Sequence, residues 1–98
     1  MTCYRIYTKK ENPYKIEKLT RQYFTGATIY TGRGIYEDNA EFSCIIEVIG
    51  DPEEKLATGY WAGFRLDIRV VRFADKIKKL NNQESVFMTY HEVNTVTV

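Results

Sequence analysis

The sequence predicts a single α+β domain in which a four-stranded antiparallel sheet carries two helices on one face, in the order β-α-β-β-α-β. Three observations support this plan. The chain has 98 residues, which is enough for one domain. Two stretches repeat apolar residues at helical spacing, and four stretches are rich in β-branched and aromatic residues. Their order along the chain is that of a split βαβ unit, the ferredoxin-like plan.

The first half of the chain predicts a strand, a helix and a β-hairpin. The strand covers Tyr4–Thr8 and the helix Pro13–Phe24, after an Asn-Pro pair that suits a helix start. Ala27–Thr31 and Glu41–Ile49 predict the two hairpin strands. Their connection, Gly32–Ala40, is longer than a tight turn needs, which favours a functional loop there.

The second half predicts a second helix and a last strand. An apolar stripe from Leu66 to Leu80 indicates the helix, and Asn81-Asn82 closes it. Strand four covers Ser85–Tyr90, and the alternating segment Glu92–Val98 extends it or forms a short fifth strand. Residues 53–63 predict a short helical turn at the start, followed by a loop.

Strands one and three are expected in the middle of the sheet, because right-handed crossovers place both helices on one face. The residues expected to face the helices are Phe42, Cys44, Ile46 and Val48. Those expected on the open face are Ser43, Ile45 and Glu47, with Tyr7 and Phe87 or His91. An open face this apolar favours cover by another subunit, a trimer before a dimer. A monomer stays possible, since single apolar residues on an open face are common.

Composition excludes several classes of function. The formal net charge is +1, so nothing draws the chain strongly to nucleic acid or to an anionic membrane. The basic residues of the second helix are interrupted by Asp67 and Asp75, which is typical of a solvated helix face. Cys3 and Cys44 lie in strand-like stretches without metal or redox spacing, so both are expected to be buried thiols. A cytoplasmic location is expected.

Gly32-Arg33-Gly34 is the best ligand candidate in the sequence. Flexible glycines can expose backbone N–H groups, and a guanidinium can hold a phosphate or carboxylate with two hydrogen bonds. Arg33, Gly34 and Tyr36 are therefore the predicted contacts for a small anionic ligand. The alternative is a glycine-rich hairpin end with a solvated arginine. No P-loop is present, because no GK[ST] follows.

Tyr60 and Trp61 form the other candidate surface. Together with Tyr36 they suit a partner-binding site, since tyrosine and tryptophan dominate interface hot spots; they could equally cover the core as a lid. We expect no catalytic residue, because His91 has no associated nucleophile. No cofactor is expected. The acidic residues near the hairpin predict a solvated turn rather than a metal site, and Glu47 is expected to pair with Arg5 across the strands.

Two stretches resemble the PII-like superfamily of small trimeric sensors. Gly26-Ala27-Thr28-Ile29-Tyr30-Thr31-Gly32-Arg33-Gly34 is similar to that family's second strand and the start of its long loop, and Ser85–Val98 is similar to its last strand and continuation. The resemblance implies the scaffold, a trimer and a ligand cleft between subunits. The segment 81–84 (NNQE) departs from the family's glycine-rich, basic phosphate loop, so the resemblance does not imply an ATP site.

Two functions follow as expectations. The first is a non-enzymatic, PII-like module that binds a ligand or regulates as an oligomer. The second is a phage-type or plasmid-type factor that binds and inhibits a host protein. A small α+β enzyme ranks behind both, because the sequence shows no acid–base pair.

Overall fold

The computed structural model describes residues 1–50, 58–61 and 64–98, and the predicted helical turn at 53–56 lies outside them. The elements are β1 (Thr2–Lys9), α1 (Pro13–Tyr23), β2 (Thr28–Tyr36), β3 (Asn39–Gly50), β4 (Thr58–Trp61), β5 (Phe64–Asp67), α2 (Ile68–Leu80) and β6 (Phe87–Glu92). No helix among these residues is both long and apolar enough to cross a bilayer.

The main sheet has the order β2-β3-β1-β6, with every neighbouring pair antiparallel. The predicted ferredoxin-like arrangement is therefore confirmed, with β1 and β3 in the centre. A separate two-stranded ribbon, β4–β5, precedes α2. The prediction for that region was a loop, so the ribbon is a difference between the prediction and the structure.

The core lies between the sheet and the two helices. Ile6 and Ile46 from the central strands are fully buried against Phe73 and Ile77 of α2 and Ile16 of α1. Cys44 and Val48 also belong to this core, as the alternation predicted. Phe42 does not: it lies near the start of β3, is 63% exposed, and contacts Lys10, whose Nζ is 5.7 Å from the ring centroid.

Both helix starts differ in detail from the prediction. Asn12 precedes α1 but has a left-handed backbone (φ 52°) and makes no side-chain cap. α2 begins at Ile68, and Leu66 belongs to β5. The Asp67 carboxylate caps α2 by accepting a hydrogen bond of 2.9 Å from the backbone N–H of Arg69.

The prediction of a long loop at Gly32–Ala40, between β2 and β3, is wrong. The two strands stay paired from Thr28 opposite Glu47 to Tyr36 opposite Asn39, so that a two-residue turn connects them. The glycines of β2 suit the strand pair because they leave room for side chains of β3. A Cβ at Gly32 would lie 2.9 Å from Cδ1 of Ile45.

Two predictions for the second half of the chain also differ from the structure. Tyr60 and Trp61 lie in strand β4 and not in a loop. β6 ends at Glu92, and residues 93–98 are neither an extension of it nor a fifth strand. The first residue of that segment is held by one backbone hydrogen bond, from Val93 N–H to the carbonyl of Met1 (2.9 Å).

Candidate functional site

The face of the sheet that points away from the helices carries an apolar and aromatic surface, called the open face below. Register places Tyr7 opposite both Ile45 and Phe87, and Ile45 opposite Tyr30. Phe87 is 69% exposed and Tyr30 is 40% exposed. The sequence predicted Ile45, Tyr7 and Phe87 on this face, and the pairing confirms that placement. His91 also lies there, opposite Cys3.

The centre of the open face holds one ion pair. Nε of Arg5 donates to Oε2 of Glu47 over 2.8 Å, and the two side chains are 37% and 27% exposed. The hydrogen bond to Glu47 is the main cause that raises the pKa of Arg5. This is the cross-strand pair that the sequence predicted. Each charge satisfies the other, so the pair is a structural feature of the face.

A cavity of about 400 Å³ opens where the open face meets the β2–β3 hairpin. We call it the sheet-end cavity, and its lining residues are Tyr7, Thr8, Lys9, Gly34, Ile35, Glu41, Ser43, Gln83, Ser85 and Phe87. The Tyr7 and Phe87 rings form one wall, with centroids 5.7 Å apart. Gly34 and Ser43 form a low floor beside this wall. Gly34 has no side chain, and a Cβ there would lie 3.1 Å from the Ser43 hydroxyl.

The rim of the sheet-end cavity carries opposite charges. Lys9 and Glu41 are both exposed there, and neither side chain forms an ion pair with another residue that the structure describes. A planar apolar group can rest against the aromatic wall while charged substituents meet the rim. The cavity therefore suits a small ligand that has a flat ring and both a positive and a negative group.

Two larger depressions differ from the sheet-end cavity. A groove of about 570 Å³ between the helices is lined by Lys15, Lys18, Lys76 and Lys79 with Leu19, Gln22 and Leu80. Another, of about 540 Å³ between α1 and the start of β2, is lined by Phe24, Glu17 and Arg21 among others, but its two charged side chains pair with each other over 2.9 Å. The lysine groove offers positive charge without an aromatic wall or an acidic group, so it is a less specific candidate.

The predicted ligand contacts do not converge. Gly34 lines the sheet-end cavity, but Arg33 pairs with Phe42, which places its side chain on the other side of the sheet. Arg33 is exposed. Tyr36 pairs with Asn39 at the hairpin end, and its side chain lies outside the described part of the chain. The strand geometry therefore separates Arg33 from Gly34, because adjacent residues of a strand point to opposite faces.

The proposed partner surface stays a prediction. Tyr60 and Trp61 pair with Arg65 and Phe64 in the β4–β5 ribbon, and the side chains of these residues lie outside the described part. Four residues of the sheet-end cavity were not predicted as ligand contacts: Tyr7, Phe87, Lys9 and Glu41. The alternation of residues along the strands did place Tyr7 and Phe87 on one face of the sheet. The register of strand pairing was needed to show that this face brings them close to Gly34.

Residues 81–84, the segment that departs from a phosphate loop, make hydrogen bonds within the fold. The Gln83 amide oxygen accepts a hydrogen bond from the Thr8 hydroxyl. The Asn81 amide donates to the same hydroxyl oxygen over 2.8 Å and to the carbonyl of Lys9 over 3.2 Å. These contacts tie the end of α2 to the end of β1, so Asn81 and Gln83 are occupied within the fold.

Thiol and metal chemistry find no support in the described residues. Cys3 and Cys44 are free and buried, and burial raises the pKa of both thiols, which keeps the reactive thiolate scarce at neutral pH. Within residues 1–50, 58–61 and 64–98, no three histidine, cysteine or acidic side chains gather as a metal site would require.

Comparison with known proteins supports the fold. No family model matches the chain, and no curated protein matches it. Among solved structures, a phage SAM lyase in its apo state is similar over 92% of this chain and 78% of its own, at 20% identity and a TM-score of 0.60. The de novo designed protein Foldit4 aligns over 95% of this chain and 96% of its own, at 15% identity and a TM-score of 0.47. The likeness to the phage protein shows that the chain shares its α+β fold.

Proposed function

We propose that this protein is a non-enzymatic small-ligand-binding module that works as a homo-oligomer, with the ligand held in the sheet-end cavity. The observation that carries the proposal is the exposed aromatic wall of Tyr7 and Phe87 beside the low floor at Gly34. A trimer whose sheets face inward would place this wall near a neighbouring subunit.

The oligomer is supported by what the open face exposes. Phe87, Ile49 and Tyr30 are 69%, 49% and 40% exposed on one continuous side of the sheet. Transferring an apolar side chain of this size from water into a packed interface contributes about 1.5–3 kcal/mol. A thin core in a chain of 98 residues makes that additional burial valuable.

The ligand class follows from the lining. An aromatic wall suits a heterocyclic ring, and Lys9 with Glu41 suits a group that carries both charges, such as an amino acid moiety. The similar phage protein is described as a SAM lyase. SAM combines a purine ring with an amino acid group, so it is the first ligand to test.

The test is calorimetric titration of the protein with SAM, with ATP as the comparison ligand. We expect SAM to bind and ATP to bind much more weakly, because Asn81 and Gln83 are held by Thr8 and Lys9 and supply no phosphate loop. Phe87→Ala should weaken SAM binding by about tenfold or more, since stacking of a base on an aromatic ring contributes about 1–3 kcal/mol.

Tyr14→Ala is the matched control, because Tyr14 is an aromatic residue on α1 that is 87% exposed and does not line the cavity. Absence of SAM binding, or equal affinity in Phe87→Ala and the unaltered protein, would contradict the assignment of SAM to this cavity. SAM should also remain intact during incubation. Its disappearance, followed by liquid chromatography, would replace the binding function with an enzymatic one.

A further inference from the structure

Residues 93–98 follow β6, lie outside any strand and have the composition of a strand. Five of the six residues are valine or threonine, and none is charged. Beyond Val93, whose N–H binds the Met1 carbonyl, the structure shows no backbone hydrogen bond for this segment to any described residue. Val96 is 84% exposed. The segment is therefore suited to β-pairing but has no partner strand among the described parts of its own chain.

The outer edge of β2 has the complementary property. β2 pairs with β3 and, among the strands that the structure describes, with no other. Residues 28–32 of this edge contain no charge and no proline. Natural edge strands usually carry lysine, proline or a bulge that prevents further pairing. An edge that is nine residues long and unprotected over its first half is a template for an added strand.

The segment cannot pair with β2 of its own chain over a useful length. β6 and β2 lie on opposite edges of the sheet, three strand spacings apart, which is about 14 Å. The segment also leaves β6 at Glu92, level with Gly50, while β2 begins level with Glu47. Six extended residues reach about 20 Å, so nearly all of them would be used in crossing the sheet.

We infer that residues 94–98 of one copy pair as an added strand with the β2 edge of a second copy. The inference rests on the self-association proposed above and specifies which elements join the subunits. A contact between the edge of one copy and the tail of the next is heterologous, and repeated contacts of this kind close into a ring when the rotation permits. In a ring of three copies, the β2 edge of each copy pairs with residues 94–98 of a neighbouring copy.

The direct test is photo-cross-linking between copies. A Val96→p-benzoylphenylalanine variant is mixed with the ¹⁵N-labelled unaltered protein. The two proteins exchange subunits, and the sample is then irradiated. Mass spectrometry then identifies cross-links that join an unlabelled tail to a labelled peptide. We expect these cross-links within residues 28–36. Cross-links confined to other parts of the labelled copy, in a sample that light scattering shows to be oligomeric, would overturn the inference.

A pair of variants provides a second readout. Val96→Pro removes a backbone N–H and prevents continuous pairing, whereas Val96→Ala keeps the N–H. We expect the proline variant to raise the dissociation constant of the oligomer about tenfold relative to the alanine variant, with no change in the thermal unfolding of the monomer. Equal dissociation constants would contradict the inference while leaving the oligomer itself intact. A strictly monomeric unaltered protein would remove both this inference and the proposed function.

Discussion

At the scale of single residues, Tyr4 joins the sheet to the start of α2. Its ring is in the core, and its hydroxyl oxygen accepts a hydrogen bond of 2.9 Å from the backbone N–H of Asp67. Asp67 is itself buried and caps α2. Burial is the main cause that raises the pKa of Tyr4 above its ordinary value of 10.0. The folded state thus holds the Tyr4 proton more tightly than the unfolded state does.

Tyr4→Phe should lower the free energy of unfolding at neutral pH by about 1–3 kcal/mol, because it leaves the buried N–H of Asp67 without an acceptor. It should also flatten the loss of stability in alkali. The contribution of Tyr4 is complete below pH 10 and declines as the pH rises through its raised folded pKa. Urea unfolding between pH 7 and 12 measures both effects.

Tyr14→Phe is the control for that experiment, since Tyr14 is 87% exposed and should show almost no cost at neutral pH. Some alkaline loss should persist in Tyr4→Phe, because burial also raises the pKa of Cys3 and Cys44. An alkaline slope as steep in Tyr4→Phe as in the unaltered protein would show that Tyr4 makes no contribution to it.

At the scale of elements, the buried amide of Asn81 holds α2, β1 and α1 together. It donates to the Thr8 hydroxyl and to the Lys9 carbonyl, and its oxygen accepts from the Asn12 amide over 3.4 Å. The same residue ends α2, and Asn82 follows with a left-handed backbone (φ 50°). Three elements thus meet at one side chain.

Asn81→Ala should destabilise the fold by about 1–3 kcal/mol, because the Thr8 hydroxyl and the Lys9 carbonyl lose a buried donor. Gln22→Ala provides the control, since Gln22 is an exposed amide side chain on α1. Chemical denaturation monitored by circular dichroism compares the two variants. Equal stability of Asn81→Ala and Gln22→Ala would mean that the hydrogen bonds of Asn81 contribute nothing to the stability of the fold.

At the scale of the whole molecule, the sheet divides the protein into a side covered by the helices and an open side, and self-association should be sensitive to a charge placed on the open side. Ile49→Glu places a charge on the open face, where Ile49 is 49% exposed. Tyr14→Glu places the same charge on α1, on the helix side of the sheet, at a residue that is 87% exposed.

Ile49→Glu should shift the protein toward monomer at micromolar concentration, because an interface would have to desolvate the new carboxylate. Tyr14→Glu should not, because the helix side of the sheet lies outside the proposed interface. Multi-angle light scattering over a concentration series measures the mass of each, and thermal unfolding checks that both variants remain folded. Equal masses in the two variants would place the interface elsewhere than on the open face.

Local pattern was sufficient to predict the main architecture. Helical and alternating periodicity predicted both helices, the four strands of the main sheet, and the placement of Ile46 toward the helices and Ile45 on the open face, and the handedness of crossovers predicted the strand order. The Arg5–Glu47 pair also followed from it. These features depend on which side of a strand or helix a residue occupies, and that information is contained in the spacing of residues along the chain.

The candidate site was decided by tertiary structure. Sequence grouped Arg33 with Gly34 because they are neighbours, but a continuous strand pair places them on opposite sides of the sheet. The glycines predicted a loop, yet they serve a strand because Ile45 and Ser43 from β3 occupy the space beside them. The sheet-end cavity likewise joins Tyr7, Phe87 and Gly34, which meet through the register of three strand pairs. Register depends on contacts between distant segments, and the spacing of residues within one segment does not contain it.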